Sequence, residues 1–235
     1  MKYPIAEKFF SIQGEGCHTG VPMAFVRLSG CPVGGVEGIC RDWSGMPFIC
    51  DTGQSYPDAL KGAEHHPYTE IQERLTAEEL WEWSKDIPTL LLTGGEPLAQ
   101  DLSEIIKTRP PDRELHIETS GLYDIDLDFD QSIHIWLTVS PKSKGPWEAK
   151  MQNWPAVKYA DELKLLVGLD TTVDEIETWL ELVKADPTIP IYLQPIEYPD
   201  PSITAASRSR TIEMILRRPE RYRLSAQLHK FLKVR

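Results

Sequence analysis

Short apolar runs recur along the chain, separated by polar or helical stretches. Six of these runs predict strands, at 23–29, 88–95, 114–121, 132–142, 162–168 and 190–197. The run at 88–95 ends in a pair of glycines. Its near-continuous apolar character is typical of a parallel strand that is buried on both faces.

Segments of helical periodicity lie between or after these runs, at 76–86, 98–108, 171–186 and 202–219. Thr76, with Glu79 three residues later, has the pattern of a capping box. Repeated strand–helix units favour a parallel sheet with helices packed outside it. We therefore expect an α/β fold with a single domain over residues 1–235. Its form would be an open, partial β/α barrel of about six strands rather than the eight of a closed barrel.

Polar signatures stand directly after several of the predicted strands. A cysteine-containing loop at 31–50 follows the first strand, and the later signatures are TGGEP (93–97), ETSG (118–121), SPK (140–142) and QP (194–195). In β/α barrels the carboxyl ends of the strands form one face, and active sites lie at that face. The sequence therefore predicts that these side chains converge on one mouth.

The charge balance narrows the classes of partner. Among 235 residues there are 36 Asp and Glu against 25 Lys and Arg, a formal net charge of −11. A general nucleic-acid or acidic-membrane surface calls for basic patches, so we expect neither partner. A small anionic substrate would need locally placed cations. The apolar runs are too short for a membrane span, and the first residues lack the features of a signal peptide, so we expect a cytoplasmic protein.

Three of the four cysteines lie in the loop that follows the first strand. Cys31, Cys40 and Cys50 are separated by eight and nine residues, which is not the short spacing of zinc ribbons. A structural zinc site would need a fourth ligand, such as Cys17 or His18. Alternatively, three thiolates could hold a cubane iron–sulfur cluster and leave one iron open to an exogenous molecule. The spacing alone leaves both alternatives open.

Several motifs are spread over almost the whole chain: FFSIQGEG (9–16), FVRLSGC (25–31), CDT (50–52), TGGEP, ETSG, SPK, DELKLLV (161–167) and LSAQLHKFLKVR (224–235). Together they resemble the motifs of radical S-adenosylmethionine enzymes, and within that superfamily those of the 7-carboxy-7-deazaguanine synthase family. One departure is plain, because the usual superfamily motif is C-x3-C-x2-C and this loop is C-x8-C-x9-C. A cluster needs three thiolates that converge in space rather than a fixed gap in sequence.

The resemblance implies a 4Fe–4S cluster on Cys31, Cys40 and Cys50, and S-adenosylmethionine on its open iron. It also implies Mg2+, with the hydroxyl of Thr52 as a ligand. The implied reaction is a radical-mediated ring contraction of 6-carboxy-5,6,7,8-tetrahydropterin with loss of ammonia, in queuosine-precursor biosynthesis. Cys17 stands at a position that the family does not reserve for a ligand.

The resemblance and the chemistry of the side chains together suggest a role for each site residue. S-adenosylmethionine would be held by Gly94, Gly95, Glu96, Ser140, Lys142 and Gln194. The substrate would be bound by Gln13, Glu15, Arg27, Thr93, His229 and the terminal Arg235. Glu15 and Arg27 are the predicted catalytic pair, since Glu15 can accept from pterin N–H groups. Arg27 has a planar guanidinium group whose N–H donors can bind a carboxylate at two points. For Lys142 a solvated surface position is an equal alternative.

Two other functions stay open at this point. Activases of glycyl-radical enzymes share part of the motif set, and a zinc-stabilised domain without enzymatic activity would use Cys17 as a fourth ligand. If the synthase prediction is right, the expected partners are a small pterin substrate and a flavodoxin or ferredoxin-type reductant. The resemblance also implies a homodimer, which is the usual oligomeric state in the family.

Overall fold

The computed structural model describes residues 1–33, 39–50, 71–125, 135–143 and 153–234. Within these ranges the strands are β1 Tyr3–Ile12, β2 Pro22–Leu28, β3 Ile39–Asp42, β4 Pro47–Ile49, β5 Glu73–Leu75, β6 Thr89–Gly94, β7 Glu114–Thr119, β8 Ile135–Val139, β9 Lys142–Ser143, β10 Glu162–Val167, β11 Ile191–Pro195 and β12 Tyr222–Leu224. The α-helices are α1 Ala77–Trp83, α2 Ser103–Lys107, α3 Val173–Leu182, α4 Pro201–Arg217 and α5 Leu228–Leu232.

In the described part of the chain, nine strands form one sheet in the order β12-β11-β10-β8-β7-β6-β2-β1-β5. The strands from β12 to β2 pair in parallel, whereas β1 pairs antiparallel with both β2 and β5. This open, mostly parallel sheet confirms the predicted α/β class. All six predicted strands are present as β2, β6, β7, β8, β10 and β11, and β12 extends the parallel set by one.

The two faces of the parallel strands differ in chemistry. On β10, Leu163, Leu165 and Val167 are in the hydrophobic core, whereas the alternate residues Lys164 and Leu166 line a cavity. Successive side chains of a strand point to opposite faces, so this alternation gives one face to the core and the other to the interior of the partial barrel. The core between sheet and helices is therefore apolar, and the enclosed face can carry polar groups.

A small second sheet is built from the cysteine loop. Strands β3 and β4 form an antiparallel hairpin, and β9 pairs with β3 through Arg41 opposite Ser143 and Asp42 opposite Lys142. Cys40 lies on β3 opposite Phe48, and Cys50 directly follows β4. The small sheet thus connects two of the cysteines to the segment that carries Lys142.

Helix ends follow local chemistry where the sequence signal is strong. Thr76 caps α1 in a capping box with Glu79, as predicted, and Thr172 caps α3 in the same way with Glu175. The predicted helix at 98–108 is instead a 3-10 helix at Pro97–Ala99 followed by α2. The side chain of Asp101 accepts a hydrogen bond from the Ser103 amide, which favours a fresh helix start.

Candidate active site

A cavity of about 650 Å³ opens at the carboxyl ends of the parallel strands. Every predicted site residue that the structure describes lines it: Gln13, Glu15, Arg27, Cys31, Cys40, Cys50, Thr93, Gly94, Gly95, Glu96, Ser140, Lys142, Gln194 and His229. Thr52 and Arg235 lie outside the described residues. The predicted convergence on one mouth is therefore confirmed for the described residues, and the role of each remains a prediction.

The glycine pair after β6 lets two backbone segments approach each other. Gly94 has a φ of +95°, and a Cβ on Gly95 would lie 2.0 Å from the carbonyl oxygen of Gly30. The amide of Gly95 donates to Leu28 and that of Glu96 donates to Gly30. The pair therefore fixes the turn after β6 against the start of the cysteine loop.

Glu96 is the buried carboxylate of that turn, with 1% of its surface exposed. It accepts hydrogen bonds from the Leu98 amide, the Thr119 hydroxyl and both the amide and hydroxyl of Ser120. An ionised carboxylate has about four acceptor sites, so these donors occupy its ordinary capacity. The carboxylate therefore links the turn after β6 to the end of β7.

The three loop cysteines all line the cavity. A hydrogen bond with Cys50, burial, and the proximity of Cys31 raise the pKa of Cys40, whereas the ammonium of Lys142 acts in the opposite direction. Among the described residues, no three His, Cys, Asp or Glu side chains form a group that could hold a single metal ion. The donor chemistry still fits a larger sulfur-ligated cluster, because three neighbouring thiols and a cation face the same space.

Cys17 and His18 lie away from these thiols. The amide of Cys17 donates to Glu162 at 2.7 Å, and the exposed Cys17 is not among the residues that line the cavity. The ring of His18 packs edge-on against Trp136 and His116, with ring centres 4.4 and 4.5 Å away. Neither side chain is placed as a fourth ligand of Cys31, Cys40 and Cys50, which disfavours the zinc alternative.

Lys142 faces the cavity rather than bulk solvent. Its ammonium donates to the carbonyl oxygen of Ser140 at 3.0 Å and to the Ser140 hydroxyl at 2.7 Å. It also lies 5.6 Å from the centre of the Phe48 ring, on the hairpin between Cys40 and Cys50. The cation is therefore held close to the thiols, where it would offset their charge when they ionise.

Arg27 projects from β2 into the same cavity. Its Nε lies 3.2 Å from Glu7, and its guanidinium lies 5.5 Å from the centre of the Phe9 ring. The ion pair is made through Nε rather than through the two-pronged Nη edge. That edge is one of the two edges of a guanidinium that can bind a carboxylate at two points. The geometry therefore suits recognition of an anionic substrate.

A buried network of charges lies beside Arg27. Lys164 contacts Glu15 directly and lies 3.8 Å from Glu118. Burial acts to raise the pKa of Glu15 and of Glu118, but Lys164 and the hydrogen-bond donors outweigh it, so both pKa values lie below the ordinary range. The pairing with Lys164 and the hydrogen bonds therefore favour the ionised form of both carboxyl groups.

The segment after β12 closes one side of the cavity. The Leu228 amide donates to the carbonyl oxygen of Gly14, and a Cβ on Gly14 would lie 2.1 Å from Nδ1 of His229. Gln227 donates to Glu15 at 2.9 Å. The carboxyl-terminal segment thus packs on the loop after β1, and this contact places His229 at the cavity.

Sequence reasoning missed two of the charged residues in the cavity, Glu118 and Lys164. Each lies in a quoted motif, but neither was assigned a role. The available signal was a set of charged residues an even number of positions apart on otherwise apolar strands: Glu162 and Lys164 on β10, two apart, and Glu114 and Glu118 on β7, four apart. Because that spacing places charges on one face of a strand, it indicates a polar interior.

The chain matches no family model. It is 35% identical over 240 residues to a 7-carboxy-7-deazaguanine synthase of Synechocystis sp., covering all of this chain and 95% of that protein. It is 31% identical over 250 residues to the 7-carboxy-7-deazaguanine synthase of Escherichia coli, with both chains covered in full. The fold is similar to the crystal structure of QueE from Escherichia coli, with a TM-score of 0.66, 28% identity, and coverage of 97% of this chain and 95% of that one. These relationships confirm the resemblance drawn from the motifs, and the chain belongs to the 7-carboxy-7-deazaguanine synthase family.

Proposed function

We propose that this protein converts 6-carboxy-5,6,7,8-tetrahydropterin into 7-carboxy-7-deazaguanine by radical-mediated ring contraction with loss of ammonia. The product would feed the biosynthesis of queuosine and other 7-deazapurines. One observation carries the proposal: a chain that is related to these synthases over its full length gathers its predicted site residues around one cavity. Substrate and product differ by one ammonia, so the conversion needs no net oxidant.

As a member of a radical S-adenosylmethionine family, the protein uses S-adenosylmethionine and a 4Fe–4S cluster. Cys31, Cys40 and Cys50 are the residues that would hold the cluster. Together these groups supply the one-electron chemistry that removes a hydrogen atom from the substrate. Mg2+ is a further proposed cofactor. Its proposed ligand Thr52 lies outside the described residues, and one oxygen ligand suits an ion that keeps several waters.

The side of the cavity near the cysteines suits the polar groups of S-adenosylmethionine. Ser140 and Lys142 would donate to its ribose or carboxylate, and Gln194 would reach its ribose or adenine. The turn at Gly94 and Gly95 would supply backbone acceptors for its ammonium. Glu96 would act beside them through the negative charge that it places next to that ammonium, since four donors already occupy its oxygens.

The opposite side suits a pterin carboxylate and its N–H groups. Arg27 would pair with the carboxylate, and Glu15 would accept from the heterocycle. Gln13 and Thr93 both donate to Glu118, so they would orient that side of the pocket. His229 would complete the pocket from the carboxyl-terminal segment and help to exclude water. The proposed contact from Arg235 concerns a residue outside those described.

The remaining proposals concern the setting of the enzyme. In the described ranges no helix is both long and apolar enough to cross a bilayer. We place the enzyme in the cytoplasm, as a homodimer that receives electrons from a flavodoxin or ferredoxin-type reductant.

The test is turnover by anaerobically purified protein reconstituted with iron and sulfide. With 6-carboxytetrahydropterin, S-adenosylmethionine and reduced flavodoxin, we expect a brown protein with about four irons per chain. We also expect one ammonia per substrate consumed and recovery of the S-adenosylmethionine. Cys40→Ala should lose the cluster, and Cys17→Ala, at a cysteine outside the cavity, should keep it. A colourless zinc protein, or reconstituted enzyme that releases no ammonia, would contradict the proposal.

A further inference from the structure

Lys164 is a buried lysine that lines the cavity. Its side chain is 8% exposed and projects from β10, between core residues Leu163 and Leu165. Burying an ammonium is unfavourable unless it is paired and hydrogen bonded. Lys164 meets that condition through Glu15, which it contacts directly, and Glu118, whose Oε1 lies 3.8 Å from its Nζ.

The two carboxylates are each held at several points. Glu15 accepts from Gln227 at 2.9 Å and from Gln194 at 3.3 Å. Glu118 accepts from Gln13 at 2.9 Å and from Thr93 at 3.0 Å. These contacts join the loop after β1, strands β6, β7, β10 and β11, and the carboxyl-terminal segment. Lys164 is thus the cation at the point where two carboxylates from different elements meet.

The charges around Glu15 and Glu118 explain why a cation is needed to keep both carboxyl groups ionised. Two carboxylates that share a buried site repel each other, and one of them ordinarily keeps a proton. Arg27 also lowers the pKa of Glu118, but it is itself paired with Glu7. Glu162, next on the same face of β10, adds a further carboxyl group, and burial raises its pKa.

The other ionisable groups of the cavity lie on other elements. The ammonium of Lys142 is hydrogen bonded to Ser140, and Lys230 forms an ion pair with Glu197. His229 and Lys233 line the cavity from the carboxyl-terminal segment. Among the described side chains, Lys164 is the cation that forms an ion pair with Glu15 and also approaches Glu118 within ion-pair distance.

We propose that Lys164 is a positioning residue that keeps Glu15 and Glu118 ionised together and fixes their orientation. The cavity then presents two carboxylate acceptors to the N–H groups of a flat, donor-rich heterocycle. The identity of that heterocycle as a pterin rests on the proposed function; the charge state of the two carboxylates does not. Without the ammonium, one carboxyl group would retain a proton and donate where the substrate also donates.

The first test measures the protonation state by infrared difference spectroscopy on reconstituted holoenzyme. In Lys164→Met and in Lys164→Gln we expect a protonated-carboxyl band near neutral pH that wild-type protein lacks. Adding Glu118→Gln to either variant removes one of the two carboxyl groups and the repulsion between them, and the band should weaken. Circular dichroism would show whether each variant keeps the native fold.

The second test follows the KM for 6-carboxytetrahydropterin as a function of pH. For Lys164→Met we expect KM to rise near neutral pH and to fall again as pH increases. The expected rise is about tenfold, which corresponds to a carboxyl group whose pKa in the variant lies about one unit above the assay pH, because only about a tenth of that group is then ionised. Lys164→Arg keeps the charge and should keep the flat wild-type profile. Lys158→Met, at an exposed lysine paired with Asp124, is the control and should leave KM unchanged.

The outcomes separate this inference from the proposed function. If Lys164→Met and Lys164→Gln fold and show no protonated-carboxyl band, the inference is wrong, whatever the activity. If the band appears but wild-type enzyme does not convert the pterin, the proposed function fails and the inference stands. A comparison of wild-type protein with Glu118→Gln decides the matter without touching Lys164, since loss of a protonated-carboxyl band in that comparison would mean that Glu118 was not ionised.

Discussion

At the scale of single residues, the cavity contains side chains whose hydrogen-bonding capacity is already filled and others that keep an edge for a ligand. Glu96 is of the first kind, because donors from the 3-10 helix and from the end of β7 occupy its oxygens. Arg27 is of the second kind, because its ion pair with Glu7 is made through Nε. The distinction separates a structural effect from an effect on substrate binding.

Glu96→Gln should destabilise the fold by about 1–3 kcal/mol, because an amide cannot accept from the donors on both sides and leaves buried groups without a partner. Chemical denaturation of the cluster-free protein would measure the change in free energy of unfolding. Glu181→Gln, at an exposed position of α3, is the matched control and should have little effect. Unchanged stability with lost S-adenosylmethionine affinity would instead identify Glu96 as a direct ligand.

Arg27→Lys should raise the KM for the carboxylated substrate about tenfold, since lysine keeps the charge but loses two-point binding. The measurement is steady-state kinetics at saturating S-adenosylmethionine, with KM and kcat separated. Arg217→Lys, an exposed pair with Glu213 at the end of α4, serves as the control. If kcat falls and KM does not change, the role of Arg27 is not substrate binding.

At the scale of elements, the β3–β4 hairpin replaces the short turn that usually separates the last two cysteines of the superfamily motif. Trp43 lies in the turn of this hairpin and is buried. Its indole N–H donates to the carbonyl oxygen of Leu166 on β10 at 3.0 Å. The side chain of Asp42 accepts from the Ser44 and Met46 amides and shapes the turn. The hairpin is therefore fixed to the main sheet, and this contact positions Cys40 and Cys50.

Trp43→Phe should loosen the hairpin and speed the loss of iron from reconstituted protein to a ferrous chelator. Trp81→Phe is a close match as a control, because Trp81 is also buried and donates its indole N–H to a backbone carbonyl, that of Ile105, at 3.1 Å. Each variant should lose about 1 kcal/mol of stability with the hydrogen bond. Equal rates of iron loss would show that the hairpin anchor does not act on the cluster.

The sequence predicts elements well where one local signal dominates. The capping box at Thr76 and the apolar strands appear as expected. The break in the predicted helix at 98–108 depends on the local turn at Asp101, and the hairpin depends on pairing with β9, more than ninety residues away in the chain. The ion pair of Lys164 with Glu15 joins β10 to the distant loop after β1, and the periodicity of a single sequence places a charge on a face of a strand but does not identify its partner.

At the scale of the whole molecule, an acidic chain concentrates cations in its cavity. The formal net charge is −11, yet the cavity is lined by Arg27, Lys142, Lys164, Lys230 and Lys233. The local cations that an anionic substrate would require are therefore present. Most of these cations pair with carboxylates of the same cavity, so the pocket is polar and charge-compensated rather than strongly positive.

The pH dependence of stability should reflect two groups of carboxylates with opposite effects. Burial acts to raise the pKa of Glu197, but Lys230 and Arg208 outweigh it and lower the pKa, so its stabilisation is present above the unfolded value and is lost as pH falls. Burial raises the pKa of Glu162, so its ionisation increasingly opposes folding as pH rises from the pKa of the unfolded state toward that of the folded state.

Glu197→Gln should therefore cost more stability as pH rises from about 4 to 7, whereas Glu162→Gln should gain stability relative to wild type over the same range. Denaturation of cluster-free protein at several pH values would give both difference curves, and curves of the same slope would contradict the assignment. Opposite slopes would mean that ion pairs with Lys230 and Arg208 stabilise the charge of Glu197 in the folded protein, whereas burial opposes the charge of Glu162.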